Sequence, residues 1–504
     1  MVFYFINLIL QFFSRKIFLD YLGAEVLGLN TTAQNLLGFL NLAELGIGTA
    51  VSYNLYKPLF NGDWKSINDI VSIQGWLYRR VACIVIIGAC VLMCFFPFVF
   101  AKADVPMWYT YGSFITLLVS ALLGYFVNYR QIVLSADQKE YKVTYAVQGT
   151  KLVKVFLQMT AIYLLAHGYV CWMVLEVVFA VVTSAVLDGA IRKEYPWLCP
   201  TVTQGQTLRR QYPEIVTKTK QLFFHKISGF VLSQTTPLVI YGYASLTLVA
   251  IYGNYMLIVA SVVALMNALL NGIGASIGNL IAEGDKKKIK SSYWQITVLR
   301  MWMASTVCFG MYMLGDSFIT LWMGGEYLLS HTAFVLQIII TFISLTRTND
   351  TFIAAYGLFK DVWAPVVEAL LNLGLSIVLG YFFGLEGILC GVLISLLVIV
   401  CGWKPYFLYR DGFNEGVGEY ARRYAKLVVL LLAACCASRE MTFRSLNVVP
   451  DTYPRWAVYA LAVVAVYAFF SLAILYAADT STRNLVKRIY PMIWKKKKER
   501  PTPR

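Results

Sequence analysis

Charge is what this chain has least of. Of its 504 residues only 14% are Asp, Glu, Lys or Arg, against about 25% in an average soluble protein, and that scarcity excludes an ordinary soluble enzyme. Acids are the rarer sign: 27 Asp and Glu stand against 43 Lys and Arg, for a formal net charge of +16. Histidine is nearly absent. His167, His225 and His331 lie far apart and none starts an HExxH sequence, so no zinc-protease motif is present. The ten cysteines include no CxxC pair, which removes a zinc ribbon and a disulfide framework alike. Seven of them, Cys83, Cys90, Cys94, Cys308, Cys390, Cys435 and Cys436, sit inside apolar runs as small packing residues. No Walker A sequence occurs, so ATP-driven work by this chain alone is not expected. Neither metal nor cofactor is implied. Met1 runs straight into VFYFINLILQFF without a basic segment, so no cleavable leader is expected.

What is there instead is hydrocarbon. The chain is 59% hydrophobic, and apolar stretches near the roughly 20 residues needed to cross a bilayer recur along it. Helical spans are expected near 1–19, 28–56, 77–100, 107–128, 143–165, 169–191, 222–242, 248–273, 294–319, 331–356, 363–383, 387–403, 425–441 and 455–477, fourteen in all. The fold class is therefore an all-α polytopic membrane protein. In a soluble chain the basic excess would suggest nucleic acid; here it reports topology, and no nucleic-acid partner is expected. Lys and Arg concentrate in alternate connectors: Lys57 and Lys65, Lys139 and Lys142, Arg192 to Lys220, Lys286 to Lys290, Lys360, Lys404 to Lys426, and Lys495 to Arg500. By the positive-inside rule these face the cytoplasm, with both termini. The connectors between them, such as Asp20 to Leu27, Ala166 to Gly168 and Met323 to Ser330, carry almost no basic residue.

The longest basic connector, RKEYPWLCPTVTQGQTLRRQYPEIVTKTK, holds Pro196, Pro200 and Pro213 and has the composition of a linker between lobes. The halves it separates resemble each other. GIG at 46–48 matches GIG at 272–274, Gly62 and Asp63 match Gly284 and Asp285, and Asn128 with ADQKE at 136–140 matches Asn349 with GLFKD at 357–361. Two homologous six-helix lobes are expected, 1–192 and 221–410, joined by a cytoplasmic linker at 193–220. Residues 411–504 then add helices 13 and 14 and a basic tail.

Several stretches carry a family likeness: YLGAEVLGLN, LNLAELGIGTAVSYNLYKPL, LSADQKEYK, ITLWMGGEYLL and GLFKDVWAPVVEALLNLGLSIVLG. Over residues 1 to about 410 the chain resembles the Wzx-type polysaccharide flippases of the multidrug/oligosaccharidyl-lipid/polysaccharide exporter superfamily. The resemblance implies two six-helix bundles around a central cavity, alternating access, location in the bacterial inner membrane, and an oligosaccharide on undecaprenyl diphosphate as substrate. It says nothing of the particular sugar. One departure is that the first helix begins at Met1, where members of the family usually start with a polar or basic segment.

Ionisable side chains inside these spans each cost from about 2.5 kcal/mol upward, so each asks for a partner, a water-filled cavity or a task. Arg15 and Lys16 precede the first outer turn by one to two helical turns. Snorkelling toward the headgroups accounts for either, while a cavity-facing Arg15 would grip a diphosphate with two nitrogens at once. Lys151 and Lys154, three residues apart, share one face of helix 5 and line either a plain solvated wall or a substrate site. Arg347 lies roughly 20 Å deep by helical rise from Lys360, and Asp350, one turn on, either pairs with it or leaves it free for substrate. Lys226 and Arg300 are nearer helix ends and suit snorkelling. Arg15, Lys151, Lys154 and Arg347 are the candidate substrate-binding residues.

The acids in the spans are Glu44, Glu176, Asp350 and Glu368. A carboxylate in low dielectric can exchange a proton near neutral pH, which makes Glu44 and Asp350 the candidate coupling residues for H+ or Na+. Glu44 is also open to a structural reading, capped by Asn41 or by backbone groups. The expected activity is flipping of the lipid-linked oligosaccharide, its polyprenyl tail staying in membrane lipid, and not an enzymatic reaction. Two alternatives stand beside it. An ion-coupled multidrug exporter of the same superfamily would favour acids and aromatics over several cations in its cavity. A membrane glycosyltransferase or polymerase would need a sizeable extramembrane segment with paired carboxylates or arginines.

Overall fold

The computed structural model describes residues 2–488 apart from 45, 102, 271–276, 278, 279, 282, 357, 359, 360, 362 and 446–450. The second GIG motif at 272–274, Lys360 and the basic tail from Lys495 lie outside the described residues, as does the side chain of Lys226. The chain is all-α: among the described residues there is no strand.

Its long helices are α1 (Val2–Leu40), α2 (Ile47–Asn61), α3 (Trp64–Val99), α4 (Met107–Phe126), α5 (Glu140–Leu164), α6 (Gly168–Glu194), α7 (Pro213–Tyr243), α8 (Leu246–Leu270), α9 (Lys286–Trp322), α10 (His331–Leu345), α11 (Thr348–Ala355), α12 (Trp363–Leu396), α13 (Gly418–Ser445) and α14 (Tyr453–Ala478). Eight stretches of the described helices are long and apolar enough to cross a bilayer on those grounds alone. Large apolar side chains point outward from them, with Phe98 81% and Phe469 71% exposed, a surface that needs lipid rather than water around it.

Glycines decide where the expected spans join or break. The break expected after residue 19 falls at Gly23, whose φ of +83° and ψ of 167° are not helical and suit a residue without Cβ. Conversely, the span expected over 28–56 is interrupted: a 3-10 turn at Asn41–Glu44 and Gly46 at φ +93° separate α1 from α2. Gly384, at φ +58° and ψ −134°, likewise breaks the helix between the expected spans 363–383 and 387–403. π-helical turns carry that helix on to Phe413. The two Gly-Asp pairs do the same local job. Gly62 and Gly284 take left-handed backbone, and Asp63 and Asp285 cap the next helix, accepting from Ser66 N at 3.1 Å and from Lys287 N and Lys288 N at 3.0 and 3.1 Å. Those caps start α3 and α9 well before the apolar stretches expected at 77 and 294.

Packing separates the chain into Met1–Tyr255 with Pro365–Ile388, and Met256–Ala364 with Leu389–Arg504. These bounds differ from the division at 193–220, because α7 packs against α1 and α2. In the first unit Phe18 meets Tyr169 and Trp172 edge-on at 6.1 and 6.0 Å. Gly28 lets α1 approach α8 so closely that a Cβ there would lie 2.0 Å from Leu246 O. The second unit is centred on aromatics: fully buried Tyr293 meets Trp294, Phe352 and Phe413 and donates to Asn349 Oδ1 at 2.6 Å.

The stretch expected to be a linker is partly helix and partly strap. α6 takes its first residues and α7 its last from Pro213. Between them the chain lies along α3: Asn68 binds Trp197 O and Cys199 N at 3.4 and 2.8 Å, Thr201 N donates to Ser72 Oγ at 2.8 Å, and Tyr212 OH lies 3.3 Å from Ser66 Oγ.

Candidate functional site

Within the first unit, α5 presents Gln148, Lys151, Lys154 and Gln158 on one face, at three- and four-residue steps. Lys154 Nζ donates to Glu176 Oε1 of α6 at 2.7 Å, and Gln158 Nε2 donates to Glu176 Oε2 at 3.0 Å and to Trp172 O at 3.2 Å. The side chains of Lys154 and Glu176 are only 21% and 12% exposed. Lys151 is half-buried and in no ion pair among the described residues, although it feels Lys154 and Glu176 through space. Asn7 Nδ2 of α1 donates to Gln148 Oε1 at 3.0 Å, and the hydroxyls of Thr150 and Thr183 are 2.8 Å apart. The result is a polar seam in which two ammonium groups face one carboxylate. A seam with surplus positive charge can hold an anion, and an anion leaves water only for fixed cations or donors that replace its hydration.

Arg15 is not part of that seam. Its Nε donates to Asn254 Oδ1 and one Nη to Ala250 O at 3.1 Å, both on α8, and Gly253 leaves the room for this, since a Cβ there would be 2.5 Å from the guanidinium. One edge of the arginine fork is thus committed to α8. Lys16 pairs with Asp20 one turn on, at 2.8 Å. Glu44 stands on the 3-10 turn after α1 and accepts from Tyr78 OH at 2.9 Å. Tyr125, edge-on to Tyr78 at 5.6 Å, donates to Asn41 Oδ1 at 2.9 Å.

The second unit holds Arg347 and Asp350, joined through Nε and Oδ2 at 2.5 Å, with 27% and 32% of their side chains exposed. Arg347 sits where the helix expected over 331–356 breaks, just before α11. Arg300 of α9 lies near enough to Asp350 for the two charges to interact. Among the described residues, Arg300 Nε and Asp350 Oδ1 are buried without hydrogen-bond partners. Lys404, expected in a basic connector, is instead buried and paired with Asp361 at 2.8 Å.

Sequence alone did not expose Glu176 as the partner of Lys154, nor Gln158, Tyr78, Asn254 or Asp361. The one available signal was spacing, since Gln158 follows Lys154 by four residues on the same face.

No protein-family model and no curated protein sequence matches this chain. Solved structures do. The lipid II flippase MurJ in an inward closed conformation superposes with a TM-score of 0.66 at 12% identity, covering 94% of this chain and 98% of that one. An inward-facing multidrug resistance MATE family transporter of the MOP superfamily gives a TM-score of 0.59 at 13% identity, covering 79% and 93%. The chain is a multi-pass membrane protein with the fold of these two transporters.

Proposed function

We propose that the chain is a flippase for a lipid-linked anionic substrate, of the Wzx type in which an oligosaccharide is carried on undecaprenyl diphosphate across the inner membrane by alternating access. The observation that supports this reading best is the α5–α6 seam, where Lys151 and Lys154 face the single carboxylate of Glu176. The fold likeness to a lipid II flippase agrees with it. In this reading Lys151, Lys154, Arg15 and Arg347 attract the diphosphate, and the tail remains in lipid. The repeat division 1–192 and 221–410, with both termini cytoplasmic, belongs to the same proposal.

Asp350 and Glu44 are the proposed coupling residues for H+ or Na+. Asp350 has the stronger support, because its Oδ1 has no donor among the described residues and can take a proton or cation without breaking a bond. A multidrug exporter is favoured by the likeness to a MATE transporter, but surplus cations suit an anionic cargo better. The test is the sidedness of lipid-linked sugar in cells depleted of the protein. Accumulation in the cytoplasmic leaflet is the expected result, and arrival at the outer leaflet at the undepleted rate would reject the reading.

A further inference from the structure

The strap along α3 does more than connect. Its contacts with Asn68 and Ser72 lead into a turn, Gly205–Leu208, that rests directly on α3: a Cβ on Gly205 would lie 2.5 Å from Trp76 Cβ and 2.7 Å from Ser72 O. Gly75 makes the same close approach to Val202, whose Cγ2 would be 2.8 Å from an added Cβ. Backbone bonds from Arg209 N to Gly205 O and from Arg210 N to Thr207 O, at 3.0 and 3.2 Å, fix the chain that follows. The consequence is electrostatic. Arg209 is carried over the indole of Trp76 at 5.2 Å, and Arg80 of α3 lies over the same indole at 4.1 Å. Arg79 and Arg210 are their chain neighbours, and all four arginines are exposed.

Among the described residues none of these four arginines is in an ion pair, whereas Arg130, Lys139, Lys142 and Arg192 of the same unit all are. Their place along α3 indicates what would neutralise them. Arg79 and Arg80 immediately precede the apolar run VACIVIIGACVLMCFFPFV, so Trp76 and the arginines stand at the level where hydrocarbon gives way to headgroups, as interfacial tryptophans do. The connector that supplies Arg209 and Arg210 is one the positive-inside rule assigns to the cytoplasm, the side on which anionic lipids create a negative surface potential. Stacking on one indole orients two guanidinium planes while leaving their N–H edges free to fork onto phosphate oxygens.

We propose that Arg80 and Arg209, set by Trp76 and flanked by Arg79 and Arg210, form a binding site for the phosphate headgroup of an anionic phospholipid of the cytoplasmic leaflet. The site lies where the strap meets α3 and shares no residue with the α5–α6 seam. It ties the strap to the membrane surface as well as to the helix.

The test uses the full-length protein, stripped of lipid in detergent and offered mixed micelles of phosphatidylglycerol and phosphatidylcholine, with retained lipid measured by native mass spectrometry. Wild type should retain phosphatidylglycerol selectively. Arg80→Gln with Arg209→Gln should bind it about thirty-fold more weakly, taking about 1 kcal/mol per interfacial cation, with unchanged phosphatidylcholine and an unchanged melting temperature without lipid. Arg80→Lys with Arg209→Lys keeps the charge and loses the planar stack, so it should fall between the two. Equal retention by wild type and the glutamine pair overturns the site, and equal retention by wild type and the lysine pair overturns its stacked geometry. If inorganic pyrophosphate binds lipid-free wild type as tightly and displaces phosphatidylglycerol, the ligand is a soluble anion and the lipid assignment is overturned.

Discussion

Two polar clusters buried among apolar helices have the same inventory and opposite construction. On α5 and α6, two lysines face one glutamate, and that glutamate is saturated: Lys154 holds one oxygen and Gln158 the other. Around α11, two arginines face one aspartate, but Arg347 reaches it from three residues away on its own chain, and Asp350 Oδ1 and Arg300 Nε have no hydrogen-bond partner among the described residues. A cross-helix pair with both oxygens occupied is a fixture of the packing. A local pair with an open oxygen and an open donor can change partners without moving a helix. We therefore propose that anion attraction centres on the first cluster, with Arg347 assisting, and ion exchange on the second.

A double-mutant cycle should separate them most sharply. Lys154→Ala leaves Glu176 with one neutral donor in a nearly buried seam and should cost about 3 kcal/mol of stability. Adding Glu176→Ala removes the stranded charge and should restore most of that loss, while transport stays impaired. The matching cycle on Arg347 and Asp350 should give a coupling of about 0.5 kcal/mol, as local helical pairs do. Thermal unfolding in detergent reads both. Equal couplings in the two clusters would erase the distinction.

Lys151 isolates the functional half of the contrast, because it is in no ion pair among the described residues. Lys151→Ala should lower flipping at least about tenfold with stability within about 0.5 kcal/mol. Wild-type flipping would make the seam a plain wall and remove the surplus-charge argument.

Much of this organisation was legible in the sequence, and the failures share a cause. The apolar runs located the helices, and a three-residue spacing put Lys151 with Lys154 and Arg347 with Asp350. Local periodicity says nothing of what faces a residue from another helix. Glu176 was visible as an intramembrane acid, but its bond to Lys154 depends on how α5 packs against α6. The connector after Glu194 looked like a plain linker, since proline and charge mark a break whether or not the chain then docks on Asn68 and Ser72. The breaks at Gly23 and Gly384 were legible, by contrast, since each falls in a connector between two expected spans.

The coupling assignment gives the next contrast. Asp350→Asn should abolish the dependence of transport on the ion gradient with a stability change of about 1 kcal/mol or less. Glu44→Gln keeps an oxygen for the Tyr78 hydroxyl and should weaken gradient dependence by a smaller factor. Reversal of the two outcomes would move coupling to the first unit, and unchanged dependence in both would assign both acids to structure.

The smallest expected effect concerns a feature the two units share, the Gly-Asp cap. Asp63 accepts from the backbone N–H of Ser66 and, at 2.6 Å, from its hydroxyl, and these bonds hold its carboxyl below the usual aspartate value of 3.8. A depressed value in the folded chain means the charged cap stabilises the start of α3 above the unfolded value and loses that contribution as pH falls through the folded one. Asp285 accepts only backbone N–H groups, from Lys287 and Lys288. Hydrogen exchange of the first-turn amides of α3, corrected for intrinsic rate, should therefore accelerate as the sample is acidified from pH 5. Asp63→Asn, which can still cap, should remove the acid step at α3 while leaving α9 unchanged. An acid step at α3 that persists in Asp63→Asn would show that the Asp63 carboxyl is not what holds the first turn.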